Sequence, residues 1–137
     1  MTLENNLKQI YEKRFTGHEK YRNRVWKVLV KESFSKWIKS TDHILDLGCG
    51  YGEFINHVKC GVRHAMDLNP KTESLLDNKI IFHEQDCSKP WKIDQNSLDL
   101  VFTSNFFEHL PNKESLDSTI REVKNALKPG GRLITMG

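Results

Sequence analysis

An α/β fold on a mainly parallel sheet is predicted for these 137 residues by two features of their pattern. Five short apolar runs, at 43–47, 62–67, 79–83, 98–103 and 132–136, are rich in Ile, Leu, Val and Phe and lack strict polar alternation. Strands buried on both faces read this way. Between the runs lie stretches of helical character at 52–59, 71–77 and 112–127. Strand and helix in alternation imply right-handed crossovers, which lay successive strands parallel.

Taken in order, residues 1–40 form a helical N-terminal part. Tyr21, Val25, Val28, Leu29, Glu32 and Trp37 lie near a 3.6-residue period, with Lys and Arg filling much of the other face. The polar break Ser40-Thr41-Asp42 separates this part from a core at 43–137. No repeat or linker divides the sequence, so one domain is expected. The last helical stretch is the clearest: Leu116, Ile120, Val123 and Leu127 form one apolar stripe, and Lys128-Pro129-Gly130-Gly131 stops it.

Apolar residues make up 37% and charged residues 28%, the balance of a globular domain with a real core. A net charge of +3 is too small for a strong nucleic-acid footprint, and no nucleic-acid partner is expected. No apolar run approaches the roughly 18–20 residues of a membrane helix. Residues 1–6 lack the apolar stretch of a signal peptide, so a cytoplasmic protein is expected. Cys49, Cys60 and Cys87 are odd in number and show no Cys-x-x-Cys spacing. They read as reduced thiols, with no metal site.

The first strand runs into Asp46-Leu47-Gly48-Cys49-Gly50-Tyr51-Gly52 and then a helical stretch, an arrangement that holds nucleotide-like ligands at the carboxyl end of a strand. Glycines let the backbone turn sharply and approach a ligand closely. A dinucleotide fingerprint G-x-G-x-x-G counted from Gly48 fails at its sixth position, where Glu53 stands, and a Walker A Gly-Lys-Ser/Thr is absent. Asp46 before the turn and Glu53 at the expected helix start would repel a pyrophosphate. They suit a cation carrying an ammonium and a sulfonium, and S-adenosylmethionine has both and no phosphate. Cys49 reads as a small side chain fitted inside the tight turn.

Asp67 ends the second strand, where a carboxylate suits a bidentate contact with ribose hydroxyls. Its other reading is a loop aspartate capping the helix that begins near Pro70. Asp86 follows the third strand and either accepts from an adenine amino group, with the Cys87 backbone N–H on a ring nitrogen, or closes a turn. After the fourth strand, the segment from Thr103 to Pro111 stands beside the glycine loop at the switch point. Asn105 is placed to contact the methionine end, while Phe106 and Phe107 wall the pocket or pack in the core. His109 is a candidate general base, because imidazole titrates near neutrality, or a structural residue at a helix start.

Together these residues resemble the class I, Rossmann-like methyltransferases that use S-adenosylmethionine, in particular the small-molecule type. The matching motifs are Asp46–Gly52 as D-x-G-C-G-x-G, Asp67, Asp86, Glu108-His109-Leu110 and Leu127-Lys128-Pro129-Gly130-Gly131, in order across 43–137. The resemblance implies a three-layer Rossmann-like sheet of order 3-2-1-4-5, with S-adenosylmethionine as cofactor and S-adenosylhomocysteine as product. It carries cofactor contacts to Asp46, Gly48, Cys49, Gly50, Gly52, Asp67, Leu68, Asp86, Cys87, Asn105 and Phe106. N-terminal helices cover the cofactor in such proteins, which makes Tyr11, Arg14, Tyr21 and Arg22 candidates for its carboxylate. The acceptor implied is a small metabolite, lipid or glycan.

One departure from the family pattern bears on this. Class I enzymes usually continue past strand five with a helix and two antiparallel strands, whereas this sequence stops at Gly137. The expectation is a domain lacking the C-terminal antiparallel strands and much of the acceptor pocket. Strand five would then be an open edge, a template for a homodimer formed there or by exchange of an element. Beside methyl transfer stand a non-catalytic module that holds cofactor or product, which the missing region supports, and a nicotinamide-dependent oxidoreductase, against which Glu53 speaks.

Overall fold

A computed structural model of the chain describes residues 3–137, with side chains from residue 18 onward. Five strands, β1 (His43–Leu47), β2 (Val62–Asp67), β3 (Ile81–Glu84), β4 (Leu98–Ser104) and β5 (Leu127–Met136), pair in parallel in the order β3-β2-β1-β4-β5. This is the Rossmann-like order expected. β1 is the centre of the sheet, buried from Ile44 to Leu47, which explains why its sequence shows no alternation. Strand order reverses between β1 and β4, and their carboxyl ends splay open a crevice there.

Helices cover both faces. On one, α1 (Leu3–Glu32) and the 3-10 turn after it bring Val30 and Phe34 against Ile44, Phe54 and Phe102. Phe54 and Phe102 stack at 3.7 Å between ring centroids, and Trp26 meets both edge-on. On the other face, α2 (Lys113–Ala126) packs Val123 and Ala126 against Leu45, Leu47 and Val101. The Asn112 side chain accepts the Ser115 N–H at 2.8 Å and caps α2.

Helix α1 turns a different face inward from the one expected, whereas α2 keeps Val123 of its expected stripe inward but not Ile120. Tyr21, Val25 and Val28 are exposed on α1, and Trp26, Leu29 and Val30 pack toward the core with Phe34 beyond them. The aromatic rings of Trp26 and Phe34 interlock with Phe54 and Phe102, which fixes this face against the sheet. In α2, Thr119 is buried with Val123 and Ala126, while Ile120 is 38% exposed. Small side chains bring the helix close to the sheet, and the Thr119 hydroxyl is satisfied by Ser115 O at 2.7 Å.

The stretches at 52–59 and 71–77 are not α-helices. They hold single 3-10 segments, Ile55–His57 and Pro70–Leu75. Fewer than three turns rarely nucleate alone. β3 starts at Ile81 rather than at 79, and as an edge strand it leaves Ile81 half exposed. β4 runs one residue further than expected, to Ser104.

Leu127-Lys128-Pro129-Gly130-Gly131 follows the helix end, as expected, but already belongs to β5. α2 stops at Ala126, and the register against β4 slips between Leu98↔Leu127 and Leu100↔Arg132 to absorb the extra residues. Gly130 takes φ +81° in this irregularity, and Pro129, which has no N–H, is tolerated because β5 is an edge. Among the described residues no helix is long and apolar enough to cross a membrane.

Candidate functional site

A cleft of about 530 Å³ opens between α1 and the carboxyl ends of β1, β4 and β5. One wall is the turn that follows β1, with Asp46, Gly48, Cys49, Gly50 and Glu53. Arg22, Val25, Trp26 and Leu29 of α1 form the opposite wall, and Ser104, Asn105 and Met136 close one end.

The turn is shaped by its backbone. The N–H groups of Gly48 and Cys49 both donate to Met66 O, at 2.9 and 3.1 Å, and Gly52 N–H donates to Cys49 O at 2.9 Å. Gly48 and Gly50 take φ +67° and +52°, left-handed values that favour glycine. Their surroundings differ. A Cβ on Gly48 would fall inside the Phe106 ring, whereas one on Gly50 would meet nothing within 4 Å. Gly48 therefore allows Phe106 to close over the strand end, and Gly50 presents bare backbone to the cleft.

The site is acidic and partly desolvated. Burial pushes the Asp46 carboxyl up to about 8, against a hydrogen bond from the Ile55 backbone, and the Asp67 and Glu53 charges add to the rise. Burial also raises Glu53, with the Arg22 guanidinium opposing. Cys49 is buried and its thiol is pushed far up, first by burial and then by the Asp46 charge, so it is not a nucleophile at neutral pH. Arg22 Nη2 donates to Glu53 Oε2 at 2.9 Å and its guanidinium carbon stands 5.7 Å from the Tyr51 ring centroid. Glu53 Oε1 is buried with no hydrogen-bond partner among the described residues. No α-helix begins at Glu53, so the turn lacks the positive helix end that favours phosphate.

Asp67 stands half buried at the end of β2 and joins the turn from behind. Its Oδ2 accepts the Gly50 N–H at 2.9 Å and its Oδ1 the Asn69 N–H at 3.0 Å. The capping role falls to Asn69, which accepts the Lys71 N–H at 3.0 Å. Gln85 N–H reaches Asp67 O at 3.3 Å, which ties the end of β3 to this corner. Leu68 is 68% exposed beside it. Asp86 Oδ1 accepts both the backbone N–H and the hydroxyl of Ser88, at 2.9 and 2.7 Å, which holds its carboxyl below the usual range. Cys87 is buried, its thiol 3.4 Å from Thr119 Oγ1.

Asp46, Gly48, Cys49, Gly50 and Asn105 are thus brought to one cleft, with Asp67 and Phe106 bracing the turn. Asn105 holds φ +49° at the cleft's end, and its N–H donates to Met136 O at 2.8 Å. Gly52 packs on Leu76 rather than lining the cleft. Tyr21 is 63% exposed and His109 is exposed beside Glu108, and neither is among the cleft's lining residues. Arg14 and Tyr11 lie outside the described side chains. Trp26 and Met136 line the cleft without having been singled out from the sequence. The i, i+3, i+4 set Trp26-Leu29-Val30 is the signal that identifies Trp26, and none identifies Met136.

A family described as "Methyltransferase domain" matches residues 45–135. The chain is 28% identical over 116 residues to the probable methyltransferase ltbC of Aspergillus luteorubrus, covering 72% of this chain and 41% of that protein. It is 33% identical over 106 residues to phosphoethanolamine N-methyltransferase 2 of Caenorhabditis elegans, covering 68% and 23%. An S-adenosylmethionine-dependent methyltransferase from Mesorhizobium loti superposes with a TM-score of 0.59 at 27% identity, covering 69% and 46%. The chain spans less than half the length of each of these proteins.

Proposed function

Because the chain belongs to the methyltransferase-domain family, with the Rossmann-like fold of class I, we propose that its cleft binds S-adenosylmethionine for transfer of the methyl group to an acceptor. One observation carries the reading. The glycine turn offers bare backbone at Gly50 to a cleft walled by Asp46 and Glu53, with no helix N-terminus behind it. With no helix end to meet it, a pyrophosphate is disfavoured there, and the two carboxyls offer acceptors to a phosphate-free nucleoside that carries an ammonium. The Mesorhizobium relative is itself described as S-adenosylmethionine-dependent.

In this reading Asp67 receives the ribose hydroxyls while its Gly50 hydrogen bond keeps the turn closed. Asp86 and the Cys87 backbone face the adenine, and exposed Leu68 lies under the base. Asn105 borders the methionine end. When bound, the cofactor supplies a methyl already activated by its sulfonium. What the protein contributes is position, so that acceptor and methyl meet in line. Trp26, Leu29, Phe102 and Met136 form an apolar wall that excludes water from that space. We assign the acceptor to small metabolites, lipids or glycans. The reading does not rely on His109, which stands outside the cleft lining.

Calorimetric titration with S-adenosylhomocysteine tests the binding, and a radiolabelled methyl-transfer assay over candidate acceptors tests the chemistry. Binding of S-adenosylhomocysteine with saturable stoichiometry is expected. Thermal stabilisation by a nicotinamide dinucleotide and none by S-adenosylhomocysteine would overturn the reading. Binding without transfer to any acceptor would leave a cofactor-holding module in its place.

A further inference from the structure

We propose that the outer face of α1 docks on the surface of an anionic lipid bilayer; the inference stands apart from the cofactor reading above. Residues 18–39 hold seven Lys and Arg against two Glu, a net +5, whereas the whole chain carries +3. The rest of the chain is therefore net negative, and the positive charge is gathered on α1 and the turn after it.

Apolar side chains lie within that charge. Tyr21 and Val28 are 63% and 59% exposed, and Val25 is exposed between them. Their i, i+4, i+7 spacing sets the three in one line along the helix, opposite Trp26 and Val30, which face the core. Lys20, Arg24, Lys27 and Lys31 are all exposed and run beside this line. Among the described residues none of these four makes an ion pair. Glu32 is the one acid on the same face. Just past the helix end, Lys36 Nζ stands 5.0 Å from the centroid of the exposed Trp37 ring.

The mixture of cations and apolar groups selects the partner. Nucleic acid would take up the cations, but its outer surface of phosphates gives the valines nothing to bury against. A second copy related by a two-fold axis would set this positive face against itself. An anionic bilayer satisfies both kinds of group: its headgroups attract each Lys and Arg, and its headgroup boundary takes in the apolar line. Among the described residues no helix is long and apolar enough to cross a membrane, so α1 would lie along the surface. Val25 also lines the cleft, and docking therefore brings the cleft's rim to the headgroups.

Co-sedimentation of the full chain with vesicles tests the proposal, comparing phosphatidylcholine alone with equal parts phosphatidylcholine and phosphatidylglycerol. Binding to the anionic vesicles is expected to be at least about tenfold tighter than to the neutral ones, and to weaken as salt is raised. Lys27→Glu with Lys31→Glu should lose about tenfold or more. Lys113→Glu with Lys124→Glu makes the same charge change at exposed positions of α2, across the sheet, and should shift binding less than about threefold. Tyr21→Ser with Val28→Ser leaves the charge unchanged and should weaken binding about tenfold. Equal loss from the two charge-reversed pairs would mean attraction of net charge alone, and no loss from the serine pair would mean that the apolar line stays in water. Either result overturns the proposal. So does tighter binding to a synthetic RNA that is lost in the Lys27 and Lys31 variant, which would give the face to nucleic acid. Should a variant not fold, the wild type decides, because equal binding to neutral and anionic vesicles, or to neither, overturns the proposal.

Discussion

Asp67 Oδ2 accepts the backbone N–H of Gly50 at 2.9 Å, so the acid at the end of β2 holds the glycine turn of β1 in place. The same carboxylate is the proposed ribose acceptor. Support of the turn and contact with the ligand therefore fall on one side chain, and mutations separate them.

Asp67→Ala removes the acceptor for both the Gly50 and Asn69 N–H groups. A loss of about 2 kcal/mol of stability is expected, at about 1 kcal/mol for each hydrogen bond. S-adenosylhomocysteine binding should fall below detection. Asp67→Asn keeps an acceptor oxygen and should recover much of the stability without recovering affinity. Chemical denaturation and calorimetry measure the two effects, and wild-type affinity in Asp67→Asn would refute the ribose assignment.

Gly48 and Gly50 differ in a way that two alanines expose. Gly48→Ala adds a Cβ inside the Phe106 ring at φ +67°, and a loss of about 3 kcal/mol is expected from strain and overpacking together. Gly50→Ala meets open space and pays only for φ +52°, about 1 kcal/mol. Its methyl points into the cleft, so ligand affinity should drop more than stability does. Adding Phe106→Ala should rescue Gly48→Ala in part and leave Gly50→Ala unchanged.

Asp46 makes stability depend on pH with a defined sign. Its folded value of about 8 lies above the ordinary 3.8, so between these limits the folded chain holds a proton that the unfolded chain has lost. Its contribution therefore falls as pH rises from about 4 to about 8, by at most about 1.4 kcal/mol per pH unit. Asp46→Asn, which stays neutral, should melt at a higher temperature than wild type above about pH 8, with the gap closing toward about pH 5. A constant gap across that range in thermal melts would contradict the burial argument.

His64 and His83 act in the opposite direction. His64 Nδ1 and His83 Nε2 lie 3.0 Å apart on neighbouring strands, and burial pushes His64 down to about 4 from 6.5 and lowers His83 as well. The folded chain keeps these rings neutral while the unfolded chain binds protons, so stability falls as pH drops from about 6.5 through about 4. His64→Gln should flatten that acid limb of the melting curve. An unchanged acid limb in the variant would show that other groups govern it.

That strands alternate with helical stretches in a parallel sheet was legible before any coordinates, from short runs rich in Ile, Leu, Val and Phe, and the strand order followed from the family resemblance. The glycine turn was legible for a related reason, since few residues other than glycine adopt its left-handed angles. The inward face of α1 was not, and in α2 the place of Ile120 was not. Several periodic stripes run along each helix, and the sheet selects the one whose side chains interlock with it, as Trp26 and Phe34 do with Phe54 and Phe102.

By itself the sequence determined that a carboxylate stands at the end of β1, that glycines follow it, and that an acid ends β2. These are local facts of residue type and spacing. Only the tertiary structure decided that Glu53 begins no α-helix but faces Arg22, that Asp67 braces Gly50, and that His109 stands outside the cleft lining. Those relations join residues distant along the chain. They depend on how α1 and the strand ends pack, which no spacing within one segment specifies.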